Sequence, residues 1–402
     1  MSGPGWVQSA LTLGAGSAGS TIMAGSLYGY DLLWVQPVAM FLGVMVFGAI
    51  GHQALSTGAR PFDVFAKKLH PALAYLWGFS VLVASIVFQF PQYSLGTAVL
   101  RDMFAVAGIE AGRLPVALAL LAGGTAVCWS YGRSRRGGVR VFERILKYLL
   151  LFMILAFILV VFKTGIDFKA TVRGLFAFKI PGTKDGITIV LGMLGAAVGV
   201  NMTFLYPYTI LARGWGKDHR RLKNFDLGVT MFLPFVLATG LVTIACANTL
   251  HAQGLQVRDA VDAAHALAPV VGLTMGRVVF SLGILGMCFT TLVIEMLICG
   301  LVLSEMFGFE LHGRTYKAAT MIANIGILGA FAKVPFWIPV VASSFSLLMM
   351  PVTYFCFFLL QTKRGYLGED AVRSGWKAWV WNGLLIVAVL AVAAGAAAKL
   401  AF

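Results

Sequence analysis

Long apolar runs alternate along the chain with short polar and basic loops. A helix that crosses the hydrocarbon core of a bilayer needs about 20 predominantly apolar residues. Eleven segments approach this length, at residues 8–28, 31–52, 73–98, 114–131, 146–163, 187–211, 227–248, 276–303, 317–333, 336–361 and 378–401. The pattern therefore predicts an all-α polytopic membrane protein, with eleven transmembrane helices embedded in a lipid bilayer.

The composition agrees with this prediction and explains the charge. Of the 402 residues, 59% are hydrophobic and only 12% are charged, against roughly 25% in soluble domains. The net charge of +15 would suggest a nucleic-acid partner in a soluble protein, but here it reflects the Lys and Arg excess of cytoplasmic loops. The most basic loops, GRSRRGGVRVFER and RGWGKDHRRLK, fall on the same side as the N-terminus. We therefore expect a cytoplasmic N-terminus, an external C-terminus and a location in the plasma (inner) membrane.

Two of the eleven segments differ from the rest because Gly, Ala and Ser crowd their centres. The first contains LGAGSAGS, which starts at Leu13, and the sixth contains Gly195–Asn201 followed by Pro207. Small residues of this kind let neighbouring helices pack closely. They also accompany broken helices, whose freed backbone groups are tolerated inside a membrane only where they line a cavity or bind a ligand.

The positions of these two segments favour deliberate breaks over close packing. They open the two halves of a predicted five-plus-five inverted repeat, with repeat one at 8–163, repeat two at 187–361 and an extra helix at 378–401. Paired, interrupted helices at corresponding positions point to a transporter site. We expect the second half-helices to begin near Ser17–Ser20 and near Asn201–Thr203.

Several stretches resemble the Nramp family of proton-coupled divalent-metal transporters. AGSLYGYDLLW (Ala24–Trp34) resembles the end of that family's first helix and the start of its second. GMLGAAVGVNMTFLYPYTILARG, which starts at Gly192, resembles its sixth helix. Asp259–Gly308 resembles its eighth helix with the preceding loop. The resemblance covers about residues 8–365 and implies a LeuT-type fold in a single transmembrane domain.

The same comparison implies a divergent branch of the family. Gly14–Ser17 stands where the family has its D-P-G-N metal motif, and Gly199–Asn201 stands where it has M-P-H. Phe90 and Tyr93 occupy places where the family has acids for proton transfer. The resemblance therefore implies that the scaffold is kept, whereas the usual metal-binding residues, including any set of transition-metal type, are absent.

A site that lacks acids favours an anion. Of the 16 Asp and Glu residues, Glu295 alone is predicted to lie in the middle of a membrane helix. The N-terminus of each second half-helix carries a partial positive charge and free N–H groups, which suit a small oxyanion. The predicted substrate-binding residues are Gly14, Ala15, Gly16, Ser17, Gly199, Val200, Asn201 and Thr203.

We expect a secondary transporter of a small anion, with bicarbonate as the leading candidate. The sequence also allows a small carboxylate or a neutral polar solute as the substrate. The alternative is a divalent cation of the Mg or Mn type, transported with altered selectivity and depending on Glu295 or on a largely hydrated ion. A membrane sensor that does not transport is a third hypothesis.

Coupling and pathway residues are predicted in the remaining helices. Thr290 and Thr291 could supply hydroxyl groups to a sodium ion near the first break, together with carbonyls near Gly14 and Ser17, although threonine in a membrane helix often bonds its own backbone. Glu295 is expected to couple or gate transport, because intramembrane carboxylates are functional by default. Candidate pathway residues are Gln89, Gln92, Tyr93, Tyr206 and Tyr208.

The sequence argues against an enzyme. It contains no nucleophile–base set, nucleotide-binding loop or metal-ligand cluster of the kinds that mark catalytic sites. We expect no cofactor apart from sodium as a candidate coupling ion, no nucleic-acid partner, and a monomer.

Overall fold

The chain folds into a helical bundle, as its apolar pattern predicts. The computed structural model describes residues 3–130, 137–255, 260–311, 313–331 and 337–401. Part of the most basic predicted loop, at 131–136, and the predicted first residue of the tenth segment, at 336, lie outside the described residues.

The first half of the chain forms a short broken helix followed by long spanning helices. The helices are α1 (Gly5–Thr12), α2 (Ala15–Tyr28), α3 (Val35–Thr57), α4 (Pro61–Val64), α5 (Pro71–Val106), α6 (Arg113–Ser130), α7 (Gly137–Thr164) and α8 (Phe168–Phe176). A π-helical turn at Phe65–Leu69 follows α4.

The second half repeats this order and adds a final helix. Its helices are α9 (Lys184–Ala197), α10 (Val200–Ala212), α11 (Arg220–Asp226), α12 (Leu233–Cys246), α13 (Ala260–Val271), α14 (Phe280–Phe307), α15 (Arg314–Thr320), α16 (Trp337–Gln361), α17 (Arg364–Leu367) and α18 (Trp376–Ala401). The π-helical turns are Leu227–Phe232, Ala247–His251 and Thr274–Val279, and the 3-10 segments are Lys217–His219, Met321–Phe331 and Gly368–Asp370.

Within the described ranges, eight helices are long and apolar enough to cross a membrane, and a bent pair within α16 makes a ninth. The other two predicted segments are present but divided. The first is split into α1 and α2, which have 8 and 14 residues. The ninth combines the seven residues of α15 with the 3-10 segment that follows. The order of segments agrees with the prediction.

The broken helices lie at the centre of the bundle. Every residue of α1 is buried, and 83% of the apolar window in α9 and α10 is buried, against 22% in α18. The long helices α5 and α14 pack against each other beside the breaks. The extra helix α18 therefore lies at the periphery, and the two small-residue segments occupy the interior.

Both breaks fall slightly earlier than predicted. The second half-helices begin at Ala15 and Val200, whereas the sequence suggested Ser17–Ser20 and Asn201–Thr203. The reason is that Gly14 and Gly199 adopt extended backbone conformations and act as the N-caps of the new helices.

Candidate functional site

The two helix breaks face one small cavity. It has a volume of about 20 Å³, slightly more than the roughly 10–15 Å³ that one water molecule needs. Three further helices, α5, α14 and α16, contribute polar groups beside those of the half-helices. The polar side chains that line the cavity are Thr12, Ser17, Gln92, Asn201, Thr291, Glu295 and Ser343.

Glu295 supplies the carboxylate of this cavity. It lies on α14, and 1% of its surface is exposed. The Asn201 amide Nδ2 donates a hydrogen bond of 2.5 Å to Glu295 Oε1. Ser85 lies close to the same carboxyl group, and Oε2 has no hydrogen bond of normal geometry within the described residues. The cavity thus contains a carboxylate oxygen with unused acceptor capacity.

Side chains bond to backbone groups on both sides of the first break. Ala15 N donates to Gln92 Oε1 at 2.9 Å, so the first donor of α2 is bound to a side chain of α5. The Ser17 hydroxyl donates across the break to the Thr12 carbonyl oxygen. The Ala15 bond thus uses an N–H group that would otherwise be available to an anion.

The second break shows the same arrangement. Met202 N donates to Asn201 Oδ1 at 3.0 Å, and Val200 N donates to the Ser346 hydroxyl at 3.4 Å. Gly199 N is directed at the Met202 sulfur at 3.4 Å. The N–H groups of Val200 and Met202, which were predicted to be free for an anion, are therefore bonded to the protein's own side chains.

The carbonyl end of α1 meets two hydroxyl groups of α14. Thr290 Oγ1 lies 3.1 Å from the Ala10 carbonyl oxygen. Thr291 Oγ1 lies 3.3 Å from the carbonyl oxygens of Ala10 and Leu11. The sequence suggested carbonyls near Gly14 and Ser17 as partners, but the structure places the oxygens one helical turn earlier.

Glycine is required at both breaks because other residues approach closely. A Cβ on Gly14 would lie 2.5 Å from Thr291 Oγ1. A Cβ on Gly16 would collide with Ser343 Oγ, and one on Gly199 would collide with Asn201 Oδ1. Close packing and helix breaking, which the sequence analysis treated as alternatives, therefore occur together.

Part of the predicted set lines the cavity. The residues that line the cavity are Gly14, Gly16, Ser17, Gly199, Asn201, Gln92, Thr291 and Glu295. The predicted residues that do not line it are Ala15, Val200, Thr203, Thr290, Gln89, Tyr93, Tyr206 and Tyr208.

The predicted residues outside the cavity have structural partners instead. Gln89 donates to the Leu292 carbonyl oxygen at 3.0 Å, and Tyr93 donates to Asn324 Oδ1 at 2.8 Å. Trp77 Nε1 donates to Thr203 Oγ1 at 3.1 Å.

The two tyrosines of α10 also have structural partners. Tyr206 is fully buried and packs edge-on against Phe47, at 5.1 Å between ring centres. Tyr208 donates to Glu305 Oε2 at 2.8 Å.

The sequence analysis missed Ser343 and Met202. Ser343 on α16 is fully buried, and its hydroxyl lines the cavity without a hydrogen-bond partner in the described part of the chain. Its signal in the sequence is the run of small residues VVASSFS inside an otherwise bulky apolar segment. Met202 follows directly after the predicted Asn201.

Within the described ranges, no group of three or more His, Cys, Asp or Glu side chains could hold a metal ion. A cation in the cavity would meet the Glu295 carboxylate, amide, hydroxyl and carbonyl oxygens, and the thioether of Met202. Oxygen donors of this kind suit Mg²⁺, Ca²⁺ and Mn²⁺ rather than softer transition metals.

Comparison with known proteins gives relatives along most of the chain. The divalent metal cation transporter MntH of Acidiphilium cryptum is 24% identical over 382 residues, covering 92% of this chain and 84% of that protein. MntH of Bacillus subtilis is 26% identical over 297 residues, which is 70% of this chain and 65% of that protein. The chain thus spans just under two thirds of the second relative.

A solved structure shows the same fold. The manganese transporter of Eremococcus coleocola, crystallised with an aromatic bis-isothiourea compound, matches 99% of this chain and 86% of that protein. The TM-score is 0.75 at 13% sequence identity. The fold is therefore LeuT-type, with about 11 transmembrane helices and broken first and sixth helices.

The expectation of bicarbonate as substrate is wrong. The relatives are named divalent metal cation transporters, and the similar structure is a manganese transporter. The geometry gives the physical reason: three N–H donors at the breaks are already bonded, a carboxylate faces the cavity, and the cavity is too small for an oxyanion of several heavy atoms.

The extent of the family match agrees with the sequence resemblance. A family model described as natural resistance-associated macrophage protein-like matches residues 5–396. This range includes both helix breaks, the cavity between them and nearly all of α18. The family and its structural neighbours are membrane transporters rather than enzymes. The chain belongs to the Nramp family.

Proposed function

We propose that this protein is a secondary transporter of a hard divalent cation of the Mg²⁺ or Mn²⁺ type. The observation that carries the proposal is the Glu295 carboxylate, which faces the cavity where the two helix breaks meet. A divalent cation in a dry site needs oxygen donors and normally at least one carboxylate. The names of the relatives support the same substrate class.

Backbone groups of opposite polarity meet at this cavity. α1 ends at Thr12 and α9 ends at Ala197, whereas α2 begins at Ala15 and α10 begins at Val200. Because a helix C-terminus carries roughly half a negative charge and an N-terminus roughly half a positive one, these ends offset each other. The Glu295 carboxylate therefore supplies the negative charge that favours a cation, and the hydroxyl of Ser343 and the amide of Gln92 can complete its coordination.

The size of the cavity determines the form in which the ion is held. A space of about 20 Å³ accommodates a cation or one water molecule, but not a hydrated ion. An ion that binds in this space would be held without most of its water. Alternating access would require the half-helices to move.

We further propose sodium as a coupling ion at the carbonyl end of α1. Four oxygen atoms converge there, from the hydroxyls of Thr290 and Thr291 and the carbonyls of Ala10 and Leu11. They lie at the negative end of the α1 dipole. The proposed topology has the N-terminus in the cytoplasm and the C-terminus outside, in the plasma (inner) membrane.

The test is uptake of Mn²⁺ and Mg²⁺ into proteoliposomes, with sodium and proton gradients varied separately. Glu295→Gln keeps the shape of the side chain and removes its charge. A hydrogen bond or ligand contact to a charged group contributes about 1.5–3 kcal/mol, so the apparent affinity should fall at least about tenfold. Glu310→Gln is the matched control, because Glu310 is exposed in the loop after α14 and its loss should leave uptake unchanged.

Each outcome decides a part of the proposal. Saturable uptake of either cation that Glu295→Gln weakens and Glu310→Gln preserves would support it. Absence of saturable uptake by the unaltered protein would overturn the function. Unchanged affinity in Glu295→Gln would remove Glu295 from the site, and uptake independent of the sodium gradient would remove sodium as the coupling ion.

A further inference from the structure

A second, much larger cavity lies at the periphery and shares no lining residue with the cavity at the helix breaks. It lies between the C-terminal half of α3, the start of α11 and the first turns of α18, and its volume is about 580 Å³. It reaches the outer surface of the bundle, because Trp376 and Val380 line it and are 72% and 53% exposed. In a membrane protein, that surface faces lipid.

One end of this cavity is strongly basic. His52, Arg220, Lys223 and Lys377 line it, and none of the described lining residues is acidic. Asp370 lies nearby, but its carboxylate is bound to Arg220 at 2.7 Å and to Lys217 at 2.9 Å. These ion pairs, which lie outside the membrane-spanning helices, hold the Asp370 pKa well below its usual range. Asp370 therefore leaves Lys223 and Lys377 without a carboxylate partner in the described part of the chain.

Lys223 is the buried charge of the site. Only 3% of its surface is exposed, and its Nζ donates to the Gly48 carbonyl oxygen at 2.8 Å. The ammonium group also lies 5.8 Å from the centre of the Trp381 ring. An ammonium group has three donors, and a buried charge is costly unless it is paired. Lys223 thus has donor capacity directed at a partner that the chain does not supply.

The cavity changes from charged to apolar in the same direction along all three helices. On α3, His52 is followed inward by Val44, eight residues away or about 12 Å along a helix. On α11 and its π-helical continuation, Arg220 and Lys223 are followed by Leu227. On α18, Lys377 is followed by Leu384. The shape matches an amphiphile with an anionic head and an apolar tail.

We propose that this cavity binds an anionic phospholipid, with the phosphate held by Lys223 and Lys377 and an acyl chain along Val44 and Leu384. Trp376 and Trp381 suit this role, because tryptophan concentrates at the level of lipid headgroups. Under the proposed topology the basic end lies at the cytoplasmic face, where anionic lipids meet basic clusters. The lipid would join α18, the helix outside the two repeats, to the transport core.

The test is native mass spectrometry of the purified full-length protein released from detergent. The probes are phosphatidylglycerol, phosphatidylcholine and inorganic phosphate, each at equal concentration. The unaltered protein should retain one phosphatidylglycerol more strongly than phosphatidylcholine. Lys223→Gln and Lys377→Gln should each weaken retention about fivefold, because one basic residue near a lipid surface contributes about 1 kcal/mol.

The controls separate lipid binding from its alternatives. Lys67→Gln removes an exposed charge in the π-helical turn after α4 and should leave retention unchanged. Lys377 lies exposed at the mouth of the cavity, so its variant tests the site even if Lys223→Gln fails to fold. Equal retention of phosphatidylcholine, competition by inorganic phosphate alone, or an equal loss in Lys67→Gln would overturn the proposal.

Discussion

The two helix breaks form one cavity but are supported in different ways. At the first break, distant residues hold the half-helices: Asp226 accepts from Gly5 N at 2.7 Å, 221 residues away, and Gln92 accepts from Ala15 N. The second break combines distant and local supports: Val200 N donates to the Ser346 hydroxyl, 146 residues away, and Asn201 donates to Glu295, 94 residues away. Thr183 caps α9 by accepting from Gly186 N at 3.1 Å, and Asn201 accepts from Met202 N.

The difference follows from helix length. α1 has eight residues, and isolated helices shorter than about 12–15 residues are marginal in water. α9 has 14 residues and its own cap. Tertiary contacts therefore position α1, whereas α9 also has a side-chain cap from Thr183, the residue that directly precedes it. We expect the first break to be the more sensitive to substitution, and four variants test that expectation.

The largest effect is expected for Gly16→Val. The new side chain would collide with Ser343, and the Pro339 carbonyl oxygen lies behind it, 3.7 Å from the Cβ position. Overpacking in a rigid site costs about 1–3 kcal/mol, so cation uptake should fall about a hundredfold while expression stays near normal. Gly383→Val is the matched control, because a Cβ on Gly383 meets nothing within 4 Å. Normal uptake by Gly16→Val would show that the first break needs no close approach.

Asp226→Asn should loosen α1 without touching the cavity. The carboxylate accepts from Gly3 N, Gly5 N and Thr230 Oγ1. Losing charge-assisted bonds to a buried group costs about 2 kcal/mol, and amide hydrogen exchange in residues 5–12 should quicken. Thr183→Val, which removes the local cap of α9, should cost about 1 kcal/mol and affect only the first turn of that helix. Equal exchange changes in both half-helices would contradict the contrast between distant and local support.

Gly199→Val should have a smaller effect than Gly16→Val. Its Cβ would meet Asn201 Oδ1, the end of a side chain that can rotate. The rotation would break the bond from Asn201 to Glu295, so we expect about a tenfold loss of apparent cation affinity, from about 1–2 kcal/mol of lost contact. The apparent affinity is measured from uptake as a function of cation concentration. A loss as large as that of Gly16→Val would show that both breaks are equally rigid.

Thr291→Val tests the carbonyl end of α1 and should have the smallest effect. It removes one hydroxyl from the proposed sodium site and keeps the side-chain shape, so the sodium concentration for half-maximal uptake should rise about fivefold, equivalent to about 1 kcal/mol. Thr239→Val is the control, because Thr239 is also buried but bonds to the Phe235 carbonyl oxygen of its own helix. A similar shift in both variants would mean that the Thr291 hydroxyl has only a structural role.

The sequence could predict the order of the helices and the existence of both breaks. Hydrophobic runs define spans because an unpaired backbone is excluded from lipid, and glycine at matching positions marks the breaks. The sequence could not determine the exact residues at which the second half-helices begin. The breaks begin at Ala15 and Val200 because the extended glycines before them serve as caps, a detail that depends on tertiary contacts.

The sequence identified the residues of the candidate site less completely than the order of the helices, because it does not show which side of a helix faces the cavity. Gln89, Gln92 and Tyr93 share one helix, but Gln92 alone among them reaches the cavity, together with Phe88 one turn earlier. Without the neighbouring helices, nothing in the sequence tells which side of α5 faces the substrate. Ser343 was missed because a serine in an apolar helix commonly bonds its own backbone. Within the described residues its hydroxyl has no hydrogen-bond partner, and Gly16 on α2 packs against it.

The volume of the central cavity also has a kinetic consequence. An ion that fits about 20 Å³ must exchange nearly its whole hydration shell for protein oxygens at each turnover. Mg²⁺ dehydrates reluctantly, so water loss would limit its rate even where the Glu295 carboxylate binds it well. We therefore expect the ranking of divalent ions by maximal uptake rate to differ from their ranking by affinity.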